Sequence, residues 1–237
     1  MPIEPMDTKI PTEDGGYQTY KAAGKLQGKK AIITGGDSGI GRATAILFAM
    51  EGADSLIAYL PEEEKDAQAT KKKVEEYGAT CHLLPVDLTQ KENCQKVVDT
   101  ALEKMGHVNI LFNNAAFQMV QKDITEIPDE QWHKTFNTNI HPFFYLSKMI
   151  IPHMKKGDTI INNASINAYI GRPDLLDYTS TKGGKLHHPL SINMLIPLSY
   201  RLFHSRSCKP ADEQRYSCQR SCTGTSLDSS HSIHHGR

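Results

Sequence analysis

Tyr178 and Lys182 are the two residues of this chain whose types and spacing best fit proton transfer. They lie four positions apart, so on a helix they share one face and their polar ends come within reach. A tyrosine hydroxyl titrates at about pH 10, and a neighbouring ammonium group lowers that value by stabilising the phenolate. Ser165, thirteen residues before Tyr178, adds a hydroxyl that could donate a hydrogen bond to a substrate oxygen. A Tyr-x-x-x-Lys pair alone is also common on exposed helices, so its meaning depends on the rest of the chain.

A glycine turn near the start of the chain could bind phosphate groups. The apolar run 31–34 predicts a strand, the turn after it contains Gly35, Gly39 and Gly41, and a helical pattern follows at once. In such a unit the backbone N–H groups and the positive end of the helix dipole face a pyrophosphate. Glycine turns also occur without a ligand. The residues predicted to share the core-facing side of the helix are Ile40, Ala43, Thr44, Leu47 and Phe48.

Strand and helix patterns alternate five times after residue 28, which predicts a parallel sheet with helices on both faces and right-handed crossovers. The first 28 residues are rich in proline and glycine and predict an extended arm. A long helical region is expected from about residue 129 to residue 154. The residues expected to form the buried stripe of the second helix are Ala67, Thr70, Val74 and Tyr77.

Polar residues stand where the predicted strands end. Ligands of parallel α/β sheets lie beyond the carboxyl ends of the strands, so these residues are expected to surround one site. They are the glycine turn 35–41, Asp87, Asn113, Asn114 and Ser165.

The composition excludes several classes of protein. Lys plus Arg and Asp plus Glu number 27 each, so no basic excess points to nucleic acid. The apolar runs are too short to cross a bilayer, and the polar N-terminus has no signal-peptide core. The five cysteines lack paired spacing, so no disulfide framework is expected. We therefore expect a cytoplasmic protein that binds neither nucleic acid nor membrane.

In order and spacing, these residues resemble the short-chain dehydrogenase/reductase family over about residues 26–184. Within that family the stretches 36–38, 58–64 and 175–178 are similar to the glucose/ribitol dehydrogenase-like subgroup, which includes bacterial general-stress oxidoreductases. The resemblance implies a Rossmann-like, doubly wound parallel sheet that lacks the family's last strands. It also implies NAD or NADP as cofactor, an alcohol or carbonyl substrate such as a sugar or polyol, and a homo-oligomer.

The resemblance also implies residue roles. Tyr178 is the general acid/base, Lys182 lowers its pKa and holds the nicotinamide ribose, Ser165 orients the substrate oxygen, and Asn139 holds a water in a proton relay. Asp87 contacts the adenine, with turn capping as the alternative role for Asp87 and Asn114. The residues implied to bind the cofactor are Gly35, Ser38, Gly39, Ile40 and Gly41 around the pyrophosphate, Asp87, Asn114 and Ala115, and Tyr178 and Lys182.

The choice between NAD and NADP stays open at this point. An acidic residue at the tip of the second strand binds ribose hydroxyls and repels a 2′-phosphate, but Tyr59 occupies that position. Arg42 favours the phosphate, whereas the acidic run 62–64 opposes it.

The chain departs from the family at two places. Ala116 stands where the family usually has glycine, and after Gly184 the family's later strands are not recognisable. We therefore divide the chain into an arm (1–28), a dinucleotide-binding and catalytic domain (29–184) and an atypical tail (185–237), either disordered or produced by a changed reading frame. The alternative function is a truncated, catalytically incompetent nucleotide-binding remnant. The tail carries ligand types that zinc accepts, but their spacing fits no zinc pattern and no metal site is predicted: Cys218, Cys222, His231, His234 and His235.

Overall fold

The computed structural model describes residues 8–187 and 194–195. Short 3₁₀ turns occur at Pro61–Glu63, Ile124–Glu126, Ile151–His153 and Pro173–Leu175. The strands are β1 (Lys9–Pro11), β2 (Tyr17–Thr19), β3 (Lys30–Thr34), β4 (Asp54–Tyr59), β5 (Cys81–Pro85), β6 (Ile110–Asn113), β7 (Thr159–Asn162) and β8 (Met194–Leu195). The helices are α1 (Gly39–Met50), α2 (Glu64–Glu76), α3 (Lys91–Met105), α4 (Asp129–Asn139), α5 (His141–Ile150), α6 (Asn167–Ile170) and α7 (Leu176–His187).

The main sheet has the order β5-β4-β3-β6-β7-β8. The first five strands are parallel, and Ile32 at the centre of β3 pairs with Leu56 on one side and Leu111 on the other. The predicted doubly wound parallel sheet is therefore confirmed. The short β8 adds an antiparallel edge, with Met194 opposite Ile160. The strand order reverses between β3 and β6, and this reversal opens a crevice at their carboxyl ends.

Helices cover both faces of the sheet. One core cluster contains buried residues of α1 and α2, and the other contains buried residues of α3 and α5. Of the residues predicted to be buried on α2, three are buried: Ala67, Thr70 and Val74. Tyr77 was wrongly included, since it is 46% exposed at the residue that follows the end of the helix.

The predicted core face of α1 is also wrong. Ile40 is 61% exposed, and Leu47 and Phe48 are half-buried beside the N-terminal arm. Gly39, the first residue of the helix, has a left-handed backbone conformation. The buried residues of α1 are Gly41, Arg42, Ala45, Ile46 and Ala49.

The helical region expected over 129–154 consists of two helices, α4 and α5, and a final 3₁₀ turn. Pro142 lies at the start of α5 and brings no N–H group to the helix. Just before it, the side chain of Asn139 is held by the backbone of Phe117, which lies 22 residues away in sequence. The break between α4 and α5 thus has a local cause, Pro142, and a tertiary cause, the hydrogen bonds between Asn139 and Phe117.

The N-terminal arm is mostly exposed and carries the β1–β2 hairpin. Glu51, at the end of α1, anchors it by accepting hydrogen bonds from the Tyr20 hydroxyl and from the backbone N–H groups of Ala23 and Lys25. None of the described helices is long and apolar enough to cross a membrane. Apart from 185–187 and 194–195, the predicted tail and its cysteines and histidines lie outside the described residues.

Lys185 is an unusual core residue because it is 1% exposed. Its Nζ lies 6.0 Å from the centroid of the Phe143 ring. Burial, and then the nearby charge of Lys182, lower the pKa of Lys185 to about 7. In the unfolded chain the ordinary value of 10.5 applies. The unfolded state therefore binds more protons between these two values, and the stability of the fold should rise with pH across that window.

Lys185→Met is expected to raise the free energy of unfolding by about 3 kcal/mol at pH 7 and by progressively less as the pH approaches 10. The reason is that methionine fills the same apolar space with no charge to desolvate. Urea denaturation at pH 7, 8 and 9 measures the difference. Lys96→Met removes the same charge from an exposed position on α3 and should change stability little at any of these pH values. Equal effects of the two substitutions would contradict the prediction.

Candidate functional site

The glycine turn between β3 and α1 is closed on one side and open on the other. Gly35 and Gly39 have φ values of +63° and +52°, a region that favours glycine. A Cβ atom at Gly41 would lie 1.9 Å from the carbonyl oxygen of Gly35, so only glycine fits there. A Cβ atom at Gly39 would meet nothing within 4 Å. The open space lies on this side of the turn.

The N-terminus of α1 faces this turn with its donors free of side-chain partners. Ser38 is the N-cap residue, but its side chain makes no capping hydrogen bond, and the first turn contains no acidic residue. The first amides of a helix and its dipole attract an anion. The open turn, the glycines and the uncapped helix end therefore fit the pyrophosphate of a dinucleotide. Ile40 is exposed beside them.

Hydrogen bonds of Thr34 and Asn114 join the ends of β3 and β6 at this crevice. The side-chain amide of Asn114 donates to the carbonyl oxygens of Thr34 and Gly35, both at 3.0 Å. In return the Thr34 hydroxyl oxygen accepts the backbone N–H groups of Asn114 and Ala115, at 2.9 and 3.0 Å. Asn114 and Ala115 are thus placed against the glycine turn, and their position beside the cofactor stays a prediction.

Asn163 extends this network to the predicted proton-transfer pair. Its side-chain amide donates to Asn114 Oδ1 at 2.8 Å, and its carbonyl oxygen accepts from Lys182 Nζ at 2.8 Å. Sequence analysis missed this residue. The signal that could have found it is its position directly after β7, next to Asn162 in the polar run that leads to Ser165.

Tyr178 and Lys182 do lie together on α7. Lys182 Nζ is 5.4 Å from the centroid of the Tyr178 ring. Lys182 is 1% exposed, whereas Tyr178 is half-buried. Burial lowers the pKa of Lys182 to about 8. At neutral pH the ammonium form still predominates, and it is this form that can stabilise a phenolate.

Asn139 is brought to the same helix. It is fully buried, and its side-chain amide donates to Thr181 Oγ1 at 3.0 Å, next to Lys182. The same side chain also donates to the carbonyl oxygen of Phe117 at 2.9 Å and accepts the Phe117 N–H at 2.7 Å. It therefore fixes α7, the break after α4 and the loop after β6 to one another.

Asp177 is a second residue that sequence analysis did not assign to the site. It is 1% exposed, and its carboxylate accepts the backbone N–H of Tyr178 at 2.8 Å. From α4 it also accepts the Thr135 hydroxyl at 2.6 Å and the Gln131 side-chain amide at 3.1 Å. Asp177 thereby fixes the first turn of α7, which carries Tyr178. An acidic residue directly before the tyrosine was the available signal.

Ser165 and Asp87 are held by their own turns. Ser165 is half-buried after β7, and its hydroxyl accepts the backbone N–H of Asn167 at 3.2 Å. The carboxylate of Asp87 accepts the N–H and the hydroxyl of Thr89, at 2.9 and 2.8 Å. This is the turn capping that we had considered as the alternative for Asp87, whose contact with adenine stays a prediction. Ala116, the departure after β6, is exposed.

Comparison with known proteins matches this arrangement. The sequence profile described as short chain dehydrogenase covers residues 29–191. General stress protein 39 of Bacillus subtilis is 49% identical over 167 residues, which are 70% of this chain and 58% of that protein. Glucose and ribitol dehydrogenase of Daucus carota is 43% identical over 169 residues, with 69% of this chain and 58% of that protein covered. The chain thus spans less than two thirds of the length of these curated relatives.

Solved structures show the same similarity. An NAD⁺-bound xylitol dehydrogenase superposes with a TM-score of 0.64 at 26% identity, covering 67% of this chain and 61% of that chain. A further structural neighbour was solved with NADP.

Alanine substitution is predicted to have opposite effects on stability at Gly41, in the glycine turn, and at Gly183, in α7. Gly41→Ala is expected to destabilise the fold by about 3 kcal/mol or more, because the new methyl group overlaps the Gly35 carbonyl oxygen. Gly183→Ala in α7 meets nothing within 4 Å and should stabilise by about 0.5–1 kcal/mol, since alanine favours helix. Urea denaturation measures both. Tolerance of Gly41→Ala would contradict the geometry of the turn, and destabilisation by Gly183→Ala would contradict the open space beside that position on α7.

Proposed function

The chain belongs to the short-chain dehydrogenase/reductase family, and from this premise we propose that it is an NAD(P)-dependent oxidoreductase acting on an alcohol/carbonyl pair. The observation that carries the proposal is the continuous hydrogen-bonded path from Gly35 through Asn114 and Asn163 to Lys182. This path holds the glycine turn and Lys182 in one fixed arrangement, which two unrelated surface features would not require.

The glycine turn and the start of α1 are proposed to bind the cofactor, which when bound supplies the hydride chemistry. Backbone N–H groups at Ser38, Gly39, Ile40 and Gly41 would hold the pyrophosphate, with Gly35 closing the turn. Asp87 would lie beside the adenine. Asn114 and Ala115 would line the crevice next to the cofactor.

Tyr178 is proposed to exchange a proton between its hydroxyl and the substrate oxygen. Lys182 assists from the buried side of α7, where its ammonium group favours the phenolate, and it would also bind the nicotinamide ribose. Ser165 would donate a hydrogen bond to the same substrate oxygen. Asn139, held beside Thr181, would keep a water in the proton relay.

The substrate class is proposed to be a sugar or polyol. The similarity to glucose and ribitol dehydrogenase and to xylitol dehydrogenase supports this choice. We also propose a cytoplasmic homo-oligomer, as the resemblance to the family implies. The domain is proposed to span 29–184, between the arm and the tail.

A second function is favoured by one specific feature. Lys185 places a buried second cation on the helix that carries Tyr178 and Lys182. The cost of burying this charge falls on the end of α7, beyond the bonds that hold Asp177 and Thr181, and catalytic geometry tolerates little movement. The second candidate is therefore a nucleotide-binding protein that does not turn over substrate.

Tyr178→Phe separates these functions. We expect it to lower cofactor-dependent oxidation of ribitol, xylitol or glucose by about a hundredfold or more, because the proton carrier is lost. The rise of the melting temperature with cofactor should remain. Absorbance of the reduced nicotinamide measures turnover, and thermal melts measure binding. Tyr77→Phe, at an exposed tyrosine after α2, is the matched control and should change neither.

Three results are informative. Turnover that survives Tyr178→Phe would overturn the proposed role of Tyr178. A chain that binds cofactor but oxidises none of the three substrates and reduces none of the corresponding carbonyls would support the second function. A chain whose melting temperature responds to neither NAD nor NADP would overturn both functions.

A further inference from the structure

The carbonyl oxygen of Asp37, in the middle of the glycine turn, accepts two side-chain hydrogen bonds. Arg42 Nε donates to it at 3.0 Å, and Thr70 Oγ1 donates to it at 2.9 Å. Arg42 Nε also donates to Thr70 Oγ1 at 3.0 Å, so the three groups form a closed triangle. All three residues are buried. The turn is therefore tied both to α1, which carries Arg42, and to α2, which carries Thr70.

The hydrogen bond made by Thr70 leaves its own helix. A threonine hydroxyl inside a helix commonly bonds the carbonyl oxygen three or four residues earlier in the same helix. The hydroxyl of Thr70 donates instead to a carbonyl group 33 residues earlier in the chain. Thr70 is fully buried in α2, so this bond is shielded from water. The hydroxyl group thus supports the glycine turn and not α2 itself.

The side chain of Arg42 is directed into the protein. It is 11% exposed, and one of its terminal nitrogens forms an ion pair with Asp66 at 3.1 Å. The side chain of Asp66 is 60% exposed, and an ion pair at such a site contributes little to stability. The sequence offered Arg42 as a partner of a cofactor phosphate. The structure places its Nε atom against the peptide group that joins Asp37 to Ser38.

The geometry of this peptide group links the triangle to the open side of the turn. A trans peptide is planar, and its C=O and N–H bonds point in opposite directions. The Asp37 carbonyl group points toward Arg42 and Thr70, so the N–H of the next residue, Ser38, points away from them. Ser38 is the N-cap residue of α1 and adjoins Gly39, where a Cβ atom would meet nothing within 4 Å.

We infer that Arg42 and Thr70 are positioning residues for the anion site of the glycine turn, an inference that rests on the proposed function. They hold the Asp37 carbonyl oxygen inside the protein and thereby fix the Ser38 N–H toward the pyrophosphate of the cofactor. They also keep this carbonyl oxygen, whose partial negative charge repels an anion, away from the phosphates. Donors that are fixed beforehand bind an anion without the cost of reorientation. Neither side chain touches the cofactor in this role.

The variant Thr70→Val tests the inference, because it keeps the branched shape of the side chain and removes the hydroxyl group. The fluorescence of bound NADH and NADPH gives the dissociation constant of the full-length chain for each nucleotide. We expect Thr70→Val to weaken binding of whichever nucleotide the unsubstituted chain binds by about tenfold, because the peptide group is no longer held in one orientation. Arg42→Met should weaken binding at least as much.

Two further variants separate positioning from general packing. Thr70→Ser keeps the hydroxyl group without the methyl group, so it should bring the dissociation constant to within about threefold of the unsubstituted chain. The double variant with Arg42→Met and Thr70→Val should bind about as weakly as the weaker of the two single variants, because both donors act on one carbonyl group. A purely structural effect of two separate substitutions would multiply.

Thr100→Val is the matched control. It makes the same substitution at a half-buried position of α3, which belongs to the other core cluster. Asp66→Asn is a second comparison, since it removes the charge of the ion pair and leaves Arg42 Nε in place. Both variants should keep the dissociation constants within about twofold of the unsubstituted chain. Cooperative thermal melts show which variants have folded.

The other results overturn the inference. If folded Thr70→Val binds nucleotide as tightly as the unsubstituted chain, the hydroxyl group does not position the turn, and the proposed function stands. If Thr70→Ser weakens binding as much as Thr70→Val, or Asp66→Asn as much as Arg42→Met, general packing of α1 on α2 is responsible. The second comparison decides alone if Thr70→Val does not fold. If the folded unsubstituted chain binds neither nucleotide, the inference and the proposed function both fail.

Discussion

The hydrogen bonds between Thr34 and Asn114 are the constraint on which the rest of the site depends. They lie where the strand order reverses, between β3 and β6. Crossover helices leave in opposite directions at such a point, so no helix covers the strand ends and side chains must satisfy their backbone groups. The Thr34 hydroxyl and the Asn114 amide do this together, with four bonds across the gap. The crevice is therefore open to a ligand and still rigid.

Two sets of hydrogen bonds connect this junction to α7. One route runs along the carboxyl ends of the strands, through Asn163 to Lys182. The other runs through α4, where Asn139 holds Thr181 and where Thr135 and Gln131 hold Asp177. Each such bond contributes only about 1 kcal/mol to stability. Their combined effect is geometric, because α7 is fixed from two sides and cannot rotate without breaking several bonds at once.

Sequence alone could predict the parts of this structure that depend on local signals. The glycine turn, the strand ends and the helical spacing of Tyr178 and Lys182 follow from neighbouring residues. The rotation of α1 does not, because Ile40 and Phe48 lie on one plausible apolar stripe while Ala45 and Ile46 lie on another. Contacts with the sheet and with the arm decide between them. The break after Asn139 and the inward direction of Arg42 likewise depend on partners that are distant in sequence, as do the links made by Asn163 and Asp177.

The proposed cofactor binding and the proposed substrate recognition depend on different parts of the chain. The hydrogen-bond network that positions Lys182, from Thr34 to Asn139, lies wholly within the described residues. The proposed cofactor binding therefore depends on residues that the structure describes. The proposed substrate recognition needs further groups around Ser165 and Tyr178, and the segment after Ser165 contributes the exposed side chains of Ile166, Tyr169 and Ile170. The residues proposed to bind the cofactor are therefore compatible with both proposed functions. The residues around the substrate distinguish the oxidoreductase from the nucleotide-binding protein without turnover.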